Sequence, residues 1–171
     1  THQGFQAERI SSIGPAFSLV EHLIPECVET HIQTDRKDQL FMRIAEHFHE
    51  ALNEIPTETI YQALQDRERT QNTALGQGLA LPHASIDNLS RNYVGIFTTE
   101  SPISYGASDG EKTDIFIATI GSIEDRNTHL KILASVARMV TETDILARLR
   151  TARTSTALVQ RFHECHDKVN W

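Results

Sequence analysis

Apolar residues at Leu40, Ile44, Phe48 and Leu52, joined by Phe41 and Ala45, recur at the i, i+4 spacing of a helix with one buried face. Asp35 is the predicted N-cap of this helix, and Asp38, three residues on, makes an approximate capping box. A second helix opens at Thr57 behind Pro56, carries Ile60, Tyr61 and Leu64, and runs into the charged Asp66-Arg67-Glu68-Arg69. The last third of the chain is again helical in pattern. Leu130, Leu133, Val136, Ala137 and Val140 are predicted to form one face, and Ile145, Leu146 and Leu149 a shorter one. Ser155 is the predicted cap of a final helix with Leu158, Val159 and Phe162.

Between these segments the period changes. Cys27 to Gln33 alternates weakly through Val28, Thr30 and Ile32 and reads as a strand. Gly78 to Ala84 is a short apolar strand stopped by Pro82-His83. Tyr93–Thr99 and Asp114–Ile120 are β-branched or aromatic runs bounded by turn residues, and Ser108-Asp109-Gly110 is turn chemistry. Phe17 to Ile24 is a short apolar stretch closed by Pro25. Residues 1–16 show no sustained period, and Gly14-Pro15 punctuates them, so an arm or linker is expected there, ahead of a domain over 17–171. Strands between helical segments describe an α/β sandwich, a small sheet covered by helices on both sides.

Composition narrows the function classes. Hydrophobic content of 39% and charged content of 23% are those of a globular chain rather than a disordered one. No apolar run approaches the ~20 residues of a membrane span, so no direct membrane insertion is expected. With 16 Lys+Arg against 23 Asp+Glu, the net charge of −7 argues against nucleic acid and anionic lipid as partners. Cys27 and Cys165 are too few for a disulfide framework. The chain starts at Thr1 without Met, which fits a processed or excised segment.

Candidate chemistry concentrates on histidine. Among nine histidines, no pair with zinc-type spacing is matched by a second pair, so no metal is expected. His47 and His49 point to different faces of their helix, and His163, Cys165 and His166 fall at an expected frayed C-terminus. No Gly-x-Ser-x-Gly elbow is present. Gly76-Gln77-Gly78 lacks the third glycine of a dinucleotide fingerprint and fits a turn before a strand better, so no cofactor is expected. His83 differs from the others. It follows a buried-looking strand and sits behind Pro82, whose fixed φ delivers it on a stiff tip. Arg67 supplies fixed positive charge from a helix end, and His129 falls in the first turn of the Leu130–Val140 helix. Brought together, the two histidines, the arginine and a helix N-terminus would make a phosphate site.

The string from Arg67 to Ala84, Arg-Glu-Arg-Thr-Gln-Asn-Thr-Ala-Leu-Gly-Gln-Gly-Leu-Ala-Leu-Pro-His-Ala, resembles the signature of enzyme IIA proteins of the mannitol/fructose type in the bacterial phosphotransferase system. Thr128-His129-Leu130-Lys131-Ile132-Leu133-Ala134 is similar to the family's His-Leu-x-x-Leu helix start. The likeness spans roughly Phe17 to Val159 and is greatest to the nitrogen-regulatory branch. It implies a three-layer α/β/α sandwich with a small mixed sheet, a fold shared with the cytoplasmic domain of anion exchangers. It implies that His83 accepts a phosphoryl group from the phosphocarrier HPr, with His129 as the second active-site histidine and Arg67 as the active-site arginine. Onward transfer in the family usually goes to a cysteine of a IIB domain. Gln71 stands where the family commonly has glycine, and Gln77 where it has Asn. Neither is expected to touch the reacting groups, so both bear on the partner surface.

Two function classes follow. One is a phosphotransferase, a carrier that passes phosphoryl groups to a IIB domain or a sugar permease. The other is a regulatory binding module, whose phosphorylation or fold controls a partner protein or a fused transporter. Either places the chain in the cytoplasm, free or tethered to the inner face of the membrane within a larger protein.

Overall fold

A computed structural model describes residues 17–171. Its centre is β6 (Thr113–Ser122), in which every residue from Ile115 to Gly121 is buried. A strand flanked by strands and covered on both faces needs such an unbroken apolar run. Ile115 and Ile117 face one side, with Val94 and Ile96 of β5 (Tyr93–Ile103) beside them. Phe116, Ala118 and Ile120 face the other, beside Phe97.

Each face has its own helical layer. Phe116 and its neighbours pack on Phe41, Ile44 and Phe48 of α1 (Lys37–Leu52) and on Ile60 and Leu64 of α2 (Thr57–Thr70). Ile115 and its neighbours pack on α3 (Arg126–Glu142), α4 (Ile145–Arg150) and α5 (Ser155–Lys168). The result is the expected α/β/α sandwich, and its sheet is mixed. β1 (Leu23–Ile32) lies parallel to β5, and β5 antiparallel to β6. On the far side of β6, β3 (Leu79–Ala80) and β4 (His83–Ile86) both run parallel to it. β2 (Ala74–Gly76) closes that edge, antiparallel to β3. The expected arm over 1–16 lies outside the described residues.

Several local expectations are corrected. The single strand expected over Gly78–Ala84 is two. Pro82 has no N–H for a ladder, so pairing stops at Ala80 and resumes at His83. His83 therefore opens β4 rather than trailing the end of a strand. Pro25 does not close the first apolar stretch; β1 runs through it, which an edge strand tolerates. Asp35 does not cap α1. Arg36 holds the cap position, and Asp38, two residues on, accepts from Gln39 N at 2.9 Å. Thr154, not Ser155, caps α5, accepting from Ala157 N at 3.0 Å, while Ser155 Oγ donates to Val28 O.

Two further corrections concern helices. The buried line of α3 is Ile132, Ser135, Val136 and Met139, and Leu130 is 60% exposed. The expected face was rotated by one residue. The C-terminus is not frayed: Cys165 and His166 are buried, and the His166 ring packs 4.7 Å from that of Trp171.

Candidate active site

Pro82 shapes the surroundings of His83. Its carbonyl still accepts from Thr119 N at 2.9 Å, so the chain stays against β6 through the break. Leu81 N continues the β2–β3 register on the other side and donates to Thr73 O at 3.0 Å. His83 is thus held from both sides of the proline. Its Nδ1–H donates back to Leu81 O at 3.3 Å. Its Nε2 accepts from Arg67 Nε at 2.8 Å. These two bonds select one neutral tautomer, with the lone pair on Nε2.

Arg67 comes from the last turn of α2. Its Nη1 donates to Gln71 O at 2.7 Å, where the chain leaves the helix in an extended conformation. Both described partners of this guanidinium are neutral. The main chain of Gln71 therefore does touch the arginine of the candidate cluster, contrary to expectation. A carbonyl serves that contact whatever the side chain, which is why residue type alone concealed it.

His129 is the fourth residue of α3, which begins earlier than its apolar pattern implied. Asp125 caps that start, accepting from Thr128 N at 3.2 Å and Thr128 Oγ1 at 2.7 Å. The cap turns His129 toward the sheet, on the line that continues through Ile132, Val136 and Met139. The His129 and His83 ring centroids are 4.1 Å apart, with 38° between their planes. Arg67, His83 and His129 thus meet as expected, on the wall of a cavity of about 330 Å³ that Ser85, Asn92 and Arg126 also line.

The electrostatics favour neutral imidazoles. Burial, then His129, then Arg67 push the pKa of His83 down from 6.5 to about 4. Burial and then Arg67 push that of His129 down as well. At neutral pH two uncharged rings stand beside the Arg67 cation, on a cavity wall that also carries Arg126 and Asp125. Such a site offers a nucleophilic nitrogen beside a cation that can receive an anion. It holds no cluster of acidic or thiol groups suited to a metal, and no group of three such ligands occurs among the described residues.

Over residues 21–165 the chain matches the family described as phosphoenolpyruvate-dependent sugar phosphotransferase system, EIIA 2. The chain belongs to this family. It is 31% identical over 148 residues to a nitrogen regulatory protein homolog of Haemophilus influenzae, covering 84% of this chain and 90% of that one. In fold this IIA chain is similar to the crystal structure of nitrogen regulatory protein IIA-Ntr from Neisseria meningitidis. That match has a TM-score of 0.76 at 20% identity and covers 84% of this chain and 97% of the other. It is also similar to a complex of Escherichia coli enzyme IIA for mannitol with its phosphorylated IIB, with a TM-score of 0.68 at 15% identity, covering 81% and 95%. These likenesses place the chain on the nitrogen-regulatory branch of the IIA proteins.

The sequence reading missed residues that support the three candidates. Glu68, next to Arg67, is a buried acceptor for Lys37, Thr73 and Tyr105. Asp125 and Thr128 form an Asp-x-x-Thr start that capping rules could have found. Asn92, 2% exposed, lines the cavity and approaches Asp125, and no local pattern marks it. Gly76-Gln77-Gly78 is at the other end of β3, against Asp114 of β6, away from the histidines.

Proposed function

We propose that residues 17–171 accept a phosphoryl group on Nε2 of His83 from a phosphohistidine donor of the HPr type, and use it as a regulatory signal or pass it on. One observation carries this reading: a neutral His83 whose single lone-pair nitrogen lies 2.8 Å from an arginine with no acidic partner among its hydrogen bonds.

The chemistry balances without an added acid or base. His83 Nε2 attacks phosphorus as the donor's N–P bond breaks, and the donor imidazole recovers that electron pair. The proton stays on His83 Nδ1 throughout, donated to Leu81 O. Arg67 Nε–H must leave the lone pair before attack, and the incoming phosphoryl oxygens are its natural next acceptors. The His129 ring, at 4.1 Å, is placed to donate an N–H to the same group. Phosphorylation adds negative charge and three strong acceptor oxygens to a surface already acidic, which a partner can read.

The nitrogen regulatory relatives favour the switch use, in which the phosphorylated and free forms engage a regulated protein or transporter differently. The mannitol IIA–IIB complex supports the relay use, with a IIB domain as acceptor in sugar transport. In either use the domain works in the cytoplasm, where phosphoenolpyruvate drives the relay, alone or carried at the inner face of the membrane by a larger protein. No helix among the described residues is long and apolar enough to cross a membrane.

Incubation with phosphoenolpyruvate, enzyme I and HPr should add an acid-labile group of about 80 Da. The His83→Ala variant should remain unlabelled. Labelling of that variant as strong as the parent's would remove His83 as the acceptor.

A further inference from the structure

Arg67 must point its guanidinium at His83 to serve transfer. Arg67 is a half-buried side chain with several rotatable bonds, and an arginine left to itself samples many rotamers. Its one main-chain anchor is Gln71 O, in the short strap of residues 71–73 that links α2 to β2.

That strap is gripped from beneath. The side chain of Glu68 is 7% exposed. Its Oε2 accepts from Thr73 N at 2.9 Å and from Lys37 Nζ at 2.9 Å. Its Oε1 accepts from Thr73 Oγ1 at 2.5 Å and from Tyr105 OH at 3.1 Å. All four acceptor positions of the carboxylate are therefore used. Lys37 in turn donates to Tyr105 O at 3.1 Å and sits 3.8 Å from the centroid of the Tyr105 ring. Asn72, at the middle of the strap, also donates to Tyr105 O, at 2.8 Å.

Arg67 and Glu68 thus hold the same strap two residues apart, Arg67 at the Gln71 carbonyl and Glu68 at Thr73. We propose that Glu68 is a positioning residue for phosphoryl transfer: by clamping Thr73 it sets the Gln71 carbonyl that aims the Arg67 guanidinium at His83. This inference rests on the reading of His83 as the acceptor. Burial pushes the Glu68 carboxyl up, but the Thr73 and Lys37 hydrogen bonds outweigh it and hold the group below its ordinary range, so the clamp is charged at neutral pH. A carboxylate is needed because four donors converge on it. An amide at the same place would present an NH₂ to at least one of them.

The test uses Glu68→Gln and Thr73→Val in the full chain. Thr73→Val keeps the strap's N–H and shape but removes the hydroxyl. Each variant is followed by single-turnover transfer from phosphorylated HPr, by thermal melting, and by the NMR signal of Arg67 Nε–H. In the parent that proton is slowed in exchange by its bond to His83. Both variants should remain folded at 25 °C and lose the slowed Arg67 signal. The transfer rate constant should fall about tenfold, with the donor concentration at half-saturation unchanged, as expected when an aimed donor is lost rather than a binding surface. Parent-like rates and a parent-like Arg67 signal in both variants would overturn the inference. So would a rate loss that only matches the unfolded fraction while the Arg67 signal persists. If the parent itself takes no phosphoryl group, the failure lies with the acceptor reading, and the Arg67 signal still decides whether Glu68 aims the arginine.

Discussion

The two ends of the β3–β4 line each present an arginine, and they differ in what that arginine touches. At the glycine turn, Arg150 forms a two-pronged pair with Asp114, Nε at 2.7 Å and Nη2 at 2.9 Å, and also donates to Gln77 O at 3.1 Å. Its charge is cancelled on the spot. At the histidine end, Arg67 donates to an imidazole and to a carbonyl, and its charge is left available. Each end carries a marked sequence string, a Gly-x-Gly turn at one and Pro-His at the other. An arginine saturated by carboxylate builds structure, whereas one held by neutral acceptors in a cavity waits for an anion.

Replacing each arginine sharpens the contrast. Arg67→Ala should slow phosphoryl transfer to His83 by ~10²–10³, the usual effect of losing one charge-stabilising donor, with little change in stability. Arg150→Ala should leave the transfer rate within about twofold and lower stability by about 1 kcal/mol, since the pair is half exposed. Stopped transfer and chemical denaturation on the two variants measure both. Equal losses of transfer in the two would erase the distinction between the ends.

Acid should act on the histidine end. With its pKa near 4, His83 keeps its lone pair well below neutrality. Transfer should therefore stay flat from about pH 8 to about pH 5 as far as His83 is concerned, and fall below that. An unshifted histidine would already be half protonated at pH 6.5. Between pH 6.5 and 4 the unfolded chain binds a proton at residue 83 that the folded chain refuses. Stability should accordingly drop as pH falls through that window, by up to ~3 kcal/mol. Urea midpoints of the parent against His83→Gln across this range isolate the effect. A variant with the same pH slope as the parent would contradict the shifted pKa.

The smallest expected effect lies in the support of the second histidine. Asp125→Ala removes the α3 cap and should cost about 1 kcal/mol of stability. It should also slow transfer several-fold, because His129 stands one residue beyond Thr128, which the cap holds. Melting and single-turnover rates on this variant check both. A stability loss with an unchanged rate would make the cap structural alone.

Much of this molecule was legible as pattern. The stripe of α1 and the unbroken run of β6 are large, periodic signals, and burial on one and two faces explains each. The three candidate site residues were legible because they sit in strings that resemble a family signature. The correct face of α3 was not. Leu130, Leu133, Ala137 and Val140 make as good an apolar line as Ile132, Val136 and Met139, and the true line is headed by a histidine, which hydropathy counts against it. The break at Pro82 was read as an end because a strand resuming one residue later depends on β6 lying alongside. Glu68 was invisible as a clamp since its partners, Lys37, Thr73 and Tyr105, converge only in three dimensions.

The central claim is that His83 Nε2 is the phosphoryl acceptor. A ¹⁵N–³¹P correlation spectrum of the histidine-labelled protein, phosphorylated through enzyme I and HPr, tests it most directly. The account predicts a single phosphohistidine, at residue 83, with phosphorus on Nε2 and the proton on Nδ1. Phosphorus on Nδ1 of His83, or on His129, would contradict it.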